Sequence, residues 1–167
     1  AEPILHANSV TAHIGFLALW RGKLEISSIS VDEASLNVVR GSSGAAFVET
    51  GTGNSVHEVL GLLAAARSRA EDVTHVIVTH VHLDHAGGAG LLMQHLPRAK
   101  LVVHPRGARH MIDPSKLIAG AAVVYGGAEN LARSMGKIVP IPAERVIEAG
   151  DGHVVDLGDR KLTTWDA

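Results

Sequence analysis

An apolar, β-branched run near the middle of the chain, Val76-Ile77-Val78, constrains the fold more than any other segment. A strand that is apolar on both faces is typical of the interior of a parallel sheet that is covered on each side. We therefore predict a buried strand over Thr74–Thr79. A second apolar strand is predicted at Leu101–His104. Helical spacing before and between these strands indicates an α/β arrangement.

Two helices are predicted beside the central strand. Ser55 and Glu58 have the spacing of a capping box, and apolar residues at helical spacing extend this helix to about Ser68. A second helix is predicted over Gly90–Leu96, with His80–Gly90 as the loop that leads into it.

Short strands are predicted towards both ends of the chain. The first fifty residues show the pattern of an antiparallel meander, with strands at Phe16–Trp20, Lys23–Val31 (bulged at Ser27-Ser28), Leu36–Arg40 and Ala45–Thr50. The last part predicts strands at Arg145–Glu148, His153–Leu157 and Arg160–Trp165, with Gly158-Asp159 as a two-residue hairpin turn. Between them, Pro105 and Pro114 are expected to interrupt helices within a cover segment that ends at Tyr125.

Composition excludes several classes of protein. The 167 residues are 46% hydrophobic and 19% charged with a formal net charge of −2, which gives no support for a nucleic-acid or anionic-membrane partner. The absence of cysteine excludes disulfides, a thiol nucleophile and thiolate metal ligands. No signal-peptide pattern opens the chain, and no apolar stretch approaches the ~20 residues of a membrane span. We therefore expect one cytoplasmic domain over residues 1–167.

Histidine is unusually frequent, and the histidines are concentrated after the central strand. Eleven are present, and His80, His82, Asp84 and His85 place four candidate metal ligands within six residues. Sites in open α/β sheets form beyond the carboxyl ends of the strands. His80 and His82 would project to one side of an extended segment, and Asp84 and His85 could face a second position after the chain turns. Unpaired imidazoles crowded beside a core would be costly, so the pattern favours a metal site.

The residue types suit hydrolytic metal chemistry. Zinc binds imidazole nitrogen and carboxylate oxygen, and a catalytic zinc lowers the pKa of a bound water to about 7. Two adjacent metals can hold both the attacking and the leaving oxygen of a reaction. Sites built from His and Asp also accept iron or manganese, so these metals stay open as alternatives to zinc.

At His80-Val81-His82-Leu83-Asp84-His85 the sequence resembles the metallo-β-lactamase superfamily, whose H-x-H-x-D-H motif it matches in full. The similarity continues through Gly87–Gly90 and Val103–His110. It is closer to the glyoxalase-II-like and general metallohydrolase branch than to the antibiotic-degrading lactamases. The resemblance implies an αββα sandwich with a dinuclear metal site at one edge of its two sheets.

The resemblance also implies the role of each motif residue. His80 and His82 would bind a first zinc ion, and Asp84 and His85 a second. Asp84 would also act in catalysis, by handling protons when metal-bound hydroxide attacks a carbonyl. The implied activity is hydrolysis of a small-molecule ester, thioester, lactone or amide.

Two departures from the family pattern are visible. The family usually has Asp-Thr-Gly where this chain has Glu49-Thr50-Gly51, and that carboxylate normally supports the ligand loop from behind. Glu49 either does so with one extra methylene or marks a shifted site. In addition, a histidine, a bridging carboxylate and a further histidine are expected downstream, and the sequence ends at Ala167 before them. We therefore expect mainly the N-terminal half of the family domain, which by itself binds metal weakly and is inactive.

Other residues and functions stay open at this point. His104 is a candidate for the substrate pocket, whereas Arg106 and His110 are more typical of a solvated surface, and Tyr125 of a packed aromatic residue. One alternative function is an inactive half-domain that forms a homo-oligomer to cover its exposed face. Another is an iron-dependent oxidoreductase on the same fold.

Overall fold

The computed structural model describes residues 3–7, 10–14, 26–31, 34–65 and 68–165. The predicted strand at Phe16–Trp20 lies outside the described residues. Within them, eight strands form one sheet in chain order: β1 (Pro3–Ala7), β2 (Val10–Ile14), β3 (Ile26–Val31), β4 (Ala34–Gly41), β5 (Gly44–Val48), β6 (Val73–Ile77), β7 (Lys100–Val103) and β8 (Val146–Glu148). The first five strands pair antiparallel, and β5 to β8 pair parallel. Two further strands, β9 (Val154–Asp156) and β10 (Lys161–Thr163), form a small antiparallel sheet.

The helices follow the parallel strands. In the described residues the α-helices are α1 (Val56–Ala65), α2 (Leu83–Ala86), α3 (Ala89–Gln94), α4 (Pro105–Ile112), α5 (Ser115–Val124) and α6 (Ala128–Met135). Short 3₁₀ turns lie at Gly53–Ser55, Ala70–Asp72 and Ala143–Arg145. None of the helices in these ranges is long and apolar enough to cross a membrane.

The parallel part of the large sheet has an apolar core on each face. On one face, Phe47, Val76 and Leu101 pack with buried residues of α1, α3 and α4. On the other face, Ala46, Ile77 and Val102 pack with Val155 in β9 and with Leu157 just after it. Because successive side chains of a strand point to opposite faces, the run Val76-Ile77-Val78 supplies both cores. The order of layers is therefore helices, large sheet and small sheet, which confirms the predicted α/β class and the buried central strand.

The predicted β-bulge and the predicted hairpin turn are both confirmed. His13 pairs with Ser28 and Ile14 pairs with Ile26, so Ser27 is the extra residue of a bulge. The Leu157 backbone N–H donates to the Arg160 carbonyl at 2.8 Å, which closes the two-residue turn at Gly158-Asp159.

Several element boundaries differ from the predictions. Strand β5 ends at Val48 because Glu49 adopts a left-handed conformation with φ of 68°. The predicted capping box is wrong: Ser55 lies in a 3₁₀ turn, where its hydroxyl pairs with that of Thr52 at 3.2 Å. Pro105 begins a helix instead of interrupting one, since its fixed φ suits the first helical position.

The segment between β6 and α3 is also more ordered than the loop predicted for it. Four of its residues, Leu83–Ala86, form the helical turn α2, with Leu83 and Ala86 buried and Asp84 exposed. Gly88 then passes so close to the loop before α1 that a Cβ there would lie 2.7 Å from the Thr52 carbonyl oxygen. The candidate ligands are therefore held on a short, packed turn.

Candidate metal centre

The candidate ligands lie beyond the carboxyl end of β6, as predicted. His80 and His82 occupy the extended segment before α2, and Asp84 and His85 lie on α2 itself. The ring centroids of His80 and His82 are 4.8 Å apart, and those of His80 and His85 are 4.1 Å apart. Asp84 Oδ2 lies 3.4 Å from His85 Nε2. The fold thus gathers three imidazoles and one carboxylate into a single cluster at the edge of the sheet.

The side chains in this cluster contact one another directly. His80 and His82 meet edge to face, and Asp84 pairs with a ring nitrogen of His85. Among the residues that the structure describes, no three His, Asp or Glu side chains surround a common point as metal ligands do. The division into one His80–His82 pair and one Asp84–His85 pair therefore stays a prediction.

The chemistry of the donor set nevertheless fits a zinc, iron or manganese ion. The His80 Nδ1 atom is 2.9 Å from the Thr79 hydroxyl, and the His85 Nδ1 atom is 3.2 Å from Glu49 Oε2. A metal-binding histidine typically has its second ring nitrogen held by such a partner, which orients the ring and selects its tautomer. This leaves Nε2 of His80 for an ion, and Nε2 of His85 lies beside the Asp84 carboxylate.

Glu49 supports the cluster from behind. Its side chain is buried, its Oε1 atom accepts a hydrogen bond from the Thr79 backbone N–H at 3.0 Å, and its Oε2 atom faces His85. One carboxylate therefore ties the end of β6 to α2. This arrangement corresponds to a supporting role with one extra methylene. It places Glu49 behind His85 and not in the wall of the neighbouring cavity.

Thr50 and Gly51 form hydrogen bonds with the backbone of α2 and of the residues just after it. The Thr50 backbone N–H and hydroxyl both donate to the His85 carbonyl at 2.9 Å. The Gly88 backbone N–H donates to the Gly51 carbonyl at 2.9 Å. Neither Thr50 nor Thr79 was predicted as a site residue. The available signal was their position, directly beside Glu49 and His80.

A cavity of about 650 Å³ adjoins the cluster on the side of the small sheet. Its wall is mainly apolar and includes Val48, Ile77, Val102, Ala149 and Leu162. Its polar residues are Thr79, His104, Arg106, Thr163 and Thr164, and Trp165 lies at its edge. His104 and Arg106 both line this cavity, and a role of His104 in substrate binding stays a prediction. His110 instead accepts a hydrogen bond from Arg109 at 3.3 Å. Tyr125, the residue that follows α5, is exposed, so the prediction of a packed aromatic residue is wrong.

Comparison with known proteins identifies the family. The model of the metallo-beta-lactamase superfamily matches residues 29–166. The chain belongs to the metallo-β-lactamase superfamily. No protein with a curated description matches it significantly.

Solved structures with the same fold include several metallo-β-lactamases. One from Cronobacter sakazakii superposes with a TM-score of 0.64 at 20% identity, over 83% of this chain and 49% of that protein. BJP-1, a subclass B3 enzyme of Bradyrhizobium japonicum, gives 0.61 at 21% identity, over 83% and 48%. MEM-A1, a subclass B3 enzyme isolated from a soil metagenome library, gives 0.63 at 20% identity, over 99% and 52%. The chain thus spans about half the length of these proteins.

Membership in the superfamily accounts for the order of the layers. Helices, large sheet and small sheet follow one another as in the αββα sandwich that the resemblance implied, with the histidine cluster at one edge of the two sheets. The β-lactamase activity in the titles of these neighbours belongs to those proteins, and the likeness to them shows the fold of this chain. The glyoxalase-II-like branch stays a prediction, since structural likeness at this identity establishes the fold alone.

Proposed function

We propose that this chain carries part of the metal centre of a metal-dependent hydrolase that acts on a small-molecule ester, thioester, lactone or amide. The observation that carries the proposal is the close packing of the His80, His82 and His85 rings, with the Nδ1 atoms of two of these rings held by Thr79 and Glu49.

In this proposal His80 and His82 hold one ion, and Asp84 and His85 hold a second. Zinc is the favoured metal, and iron or manganese suit the same donors. Bound there, the metal would supply a Lewis acid that polarises a carbonyl and brings the pKa of water to about 7.

The residues of the chain have separate tasks. Glu49 and Thr79 hold the rings of His85 and His80, which keeps the donor atoms in position. The Asp84 carboxylate is exposed, lies beside His85 Nε2, and is the proposed acceptor of the proton released when water attacks the substrate. The cavity beside Thr79 holds the acyl part of the substrate while its carbonyl lies at the cluster.

Metal analysis of the full-length protein tests the proposal. We expect bound zinc, iron or manganese, and loss of that metal in the His80→Ala and His82→Ala variants. His57→Ala, which changes an exposed histidine on α1, is the matched control and should retain the metal. A purified, folded protein without any of the three metals, even after incubation with them, would refute the proposal.

Hydrolysis is then measured on one representative of each acyl class: p-nitrophenyl acetate, an acyl thioester, an acyl homoserine lactone and a chromogenic cephalosporin. We expect turnover of at least one class, removed by a chelator and by His80→Ala but not by His57→Ala. Equal turnover in the wild type and His80→Ala would assign the activity to another site.

A further inference from the structure

The described wall of the cavity has a positively charged side chain and no negatively charged one. Among the described residues of the wall, none carries a carboxylate, and Arg106 carries a permanent positive charge. The Arg106 side chain lies in the first turn of α4 and is exposed. Within the described part of the chain, its guanidinium group forms no ion pair with an acidic residue. The cavity therefore offers a binding position for an anion.

The rest of the wall suits an uncharged, apolar group. Ile77 and Val102 are buried, and Val48 and Leu162 pack against the same cluster between the two sheets. A volume of about 650 Å³ lies within the usual range for small-molecule sites, which are mostly apolar with a few polar groups that set orientation. An anion at Arg106 and an apolar chain along this wall can thus belong to one ligand.

The cavity also has a fixed relation to the candidate ligands. Thr79 contributes to its wall, and the Thr79 hydroxyl contacts His80 Nδ1. The Arg106 backbone N–H donates to Nδ1 of His104 at 3.2 Å, and His104 lines the cavity as well. A ligand along the wall therefore extends between the cluster and the start of α4.

We propose that the substrate is a carboxylate-bearing acyl compound, whose reacting carbonyl lies at the histidine cluster, whose apolar chain lies on the wall between the sheets, and whose carboxylate binds Arg106. This inference rests on the proposed function and names its class of substrate. An Arg–carboxylate pair is a charge-assisted hydrogen bond with a geometry that a neutral acyl chain cannot reproduce.

Binding is tested first, on the metal-free full-length protein, so that the result does not depend on catalysis. The probes are glutaramate, which has an amide at one end and a carboxylate at the other, and valeramide, its neutral analogue of equal chain length. Isothermal titration calorimetry measures the affinity for each probe. We expect glutaramate to bind at least about tenfold more tightly than valeramide, as a charged hydrogen bond would give.

Two arginine variants test whether the preference for glutaramate depends on Arg106. Arg106→Gln should abolish the preference for glutaramate, whereas Arg109→Gln, an exposed position on α4 outside the cavity wall, should preserve it. Equal affinity for the two probes in the wild type would overturn the proposal. The proposal also fails if Arg109→Gln has the effect of Arg106→Gln, or if neither probe binds.

Kinetics on the metal-loaded protein complete the test. With the mono-p-nitrophenyl ester of glutarate and with p-nitrophenyl valerate as the substrates, Arg106→Gln should raise KM about tenfold for the first and leave the second unchanged. Hydrolysis of both esters with equal KM would refute the proposed carboxylate-bearing substrate class. It would still support the proposed metal-dependent hydrolysis. Selective binding of glutaramate without hydrolysis of either ester would instead refute the proposed function and sustain the anion site.

Discussion

Glu49 Oε2 lies 3.2 Å from His85 Nδ1, across a sequence separation of 36 residues. The same carboxylate accepts a hydrogen bond from the Thr79 backbone N–H through Oε1. Glu49 therefore links the segment that leads to His80 with the helical turn that carries His85. A left-handed backbone conformation at Glu49, which is costly for a residue with a side chain, is part of this arrangement.

We predict that Glu49→Gln weakens metal binding about 10- to 100-fold, as is typical for a group that orients a metal ligand. The amide can accept from only one of the two N–H groups that the carboxylate serves, and it presents a donor to the other. Chelator competition on the full-length protein measures the affinity, with the exposed Glu58→Gln on α1 as the control. Unchanged affinity in Glu49→Gln would show that this carboxylate does not orient His85.

Glu49→Asp tests the length of the side chain separately. Aspartate keeps the charge but is one methylene shorter, so it should reach either Thr79 or His85 and not both. We expect an affinity between those of the wild type and Glu49→Gln, measured in the same competition. An affinity equal to that of the wild type would mean that the loop moves to meet the shorter side chain.

Two helix glycines should respond oppositely to alanine. A Cβ at Gly90 in α3 would overlap the Val139 carbonyl oxygen, whereas a Cβ at Gly61 in α1 meets nothing within 4 Å. We expect Gly90→Ala to lower the free energy of unfolding by about 2 kcal/mol, because overpacking forces the backbone to shift. Gly61→Ala should raise it by about 0.5–1 kcal/mol through helix propensity. Urea denaturation measures both, and stabilisation by Gly90→Ala would contradict the close approach.

Arg145 caps the C-terminal end of α3 and the segment that follows it. Its guanidinium group donates to the carbonyls of Met93, Leu96 and Ala99 at distances from 2.6 to 3.1 Å. We expect Arg145→Met to lower the free energy of unfolding by about 2–3 kcal/mol, since charge-assisted bonds to these carbonyls are lost. Arg98→Met removes one longer, exposed hydrogen bond of 3.3 Å to the backbone carbonyl of Glu71, and it should lower the free energy of unfolding much less. Equal costs in the two variants, measured by urea denaturation, would contradict the cap.

His75 should make stability depend on pH. Burial, with the nearby charges of His153 and Lys100, lowers the pKa of His75 below its usual value of 6.5. Since the folded state resists protonation of this ring and the unfolded state does not, the free energy of unfolding falls as the pH drops through 6.5 towards the folded pKa. We expect the thermal midpoint of the metal-free protein to fall less between pH 7.5 and 5.5 in His75→Gln. Identical pH profiles would show that His75 is not involved.

Periodicity along the chain was sufficient to predict the α/β class and much of its detail. The central strand, the bulge at Ser27 and the hairpin turn at Gly158-Asp159 were all predicted from residues close to one another in the chain. These features depend on local alternation, chirality and turn chemistry. The six-residue run of candidate ligands was predicted for the same reason, since its members are near neighbours.

The support of the cluster depends on tertiary structure. Strands β5 and β6 pair parallel with Val48 opposite Ile77, so both end at the same edge of the sheet, and Glu49 reaches Thr79 and His85. The resemblance to the family's Asp-Thr-Gly pattern suggested a supporting role for Glu49, but nothing in the sequence gave its partners or its left-handed backbone. The sequence by itself therefore determined which residues have the chemistry to bind a metal. Only the packing of distant segments decided how those residues are held, because strand register brings together groups that the chain keeps 30 to 36 residues apart.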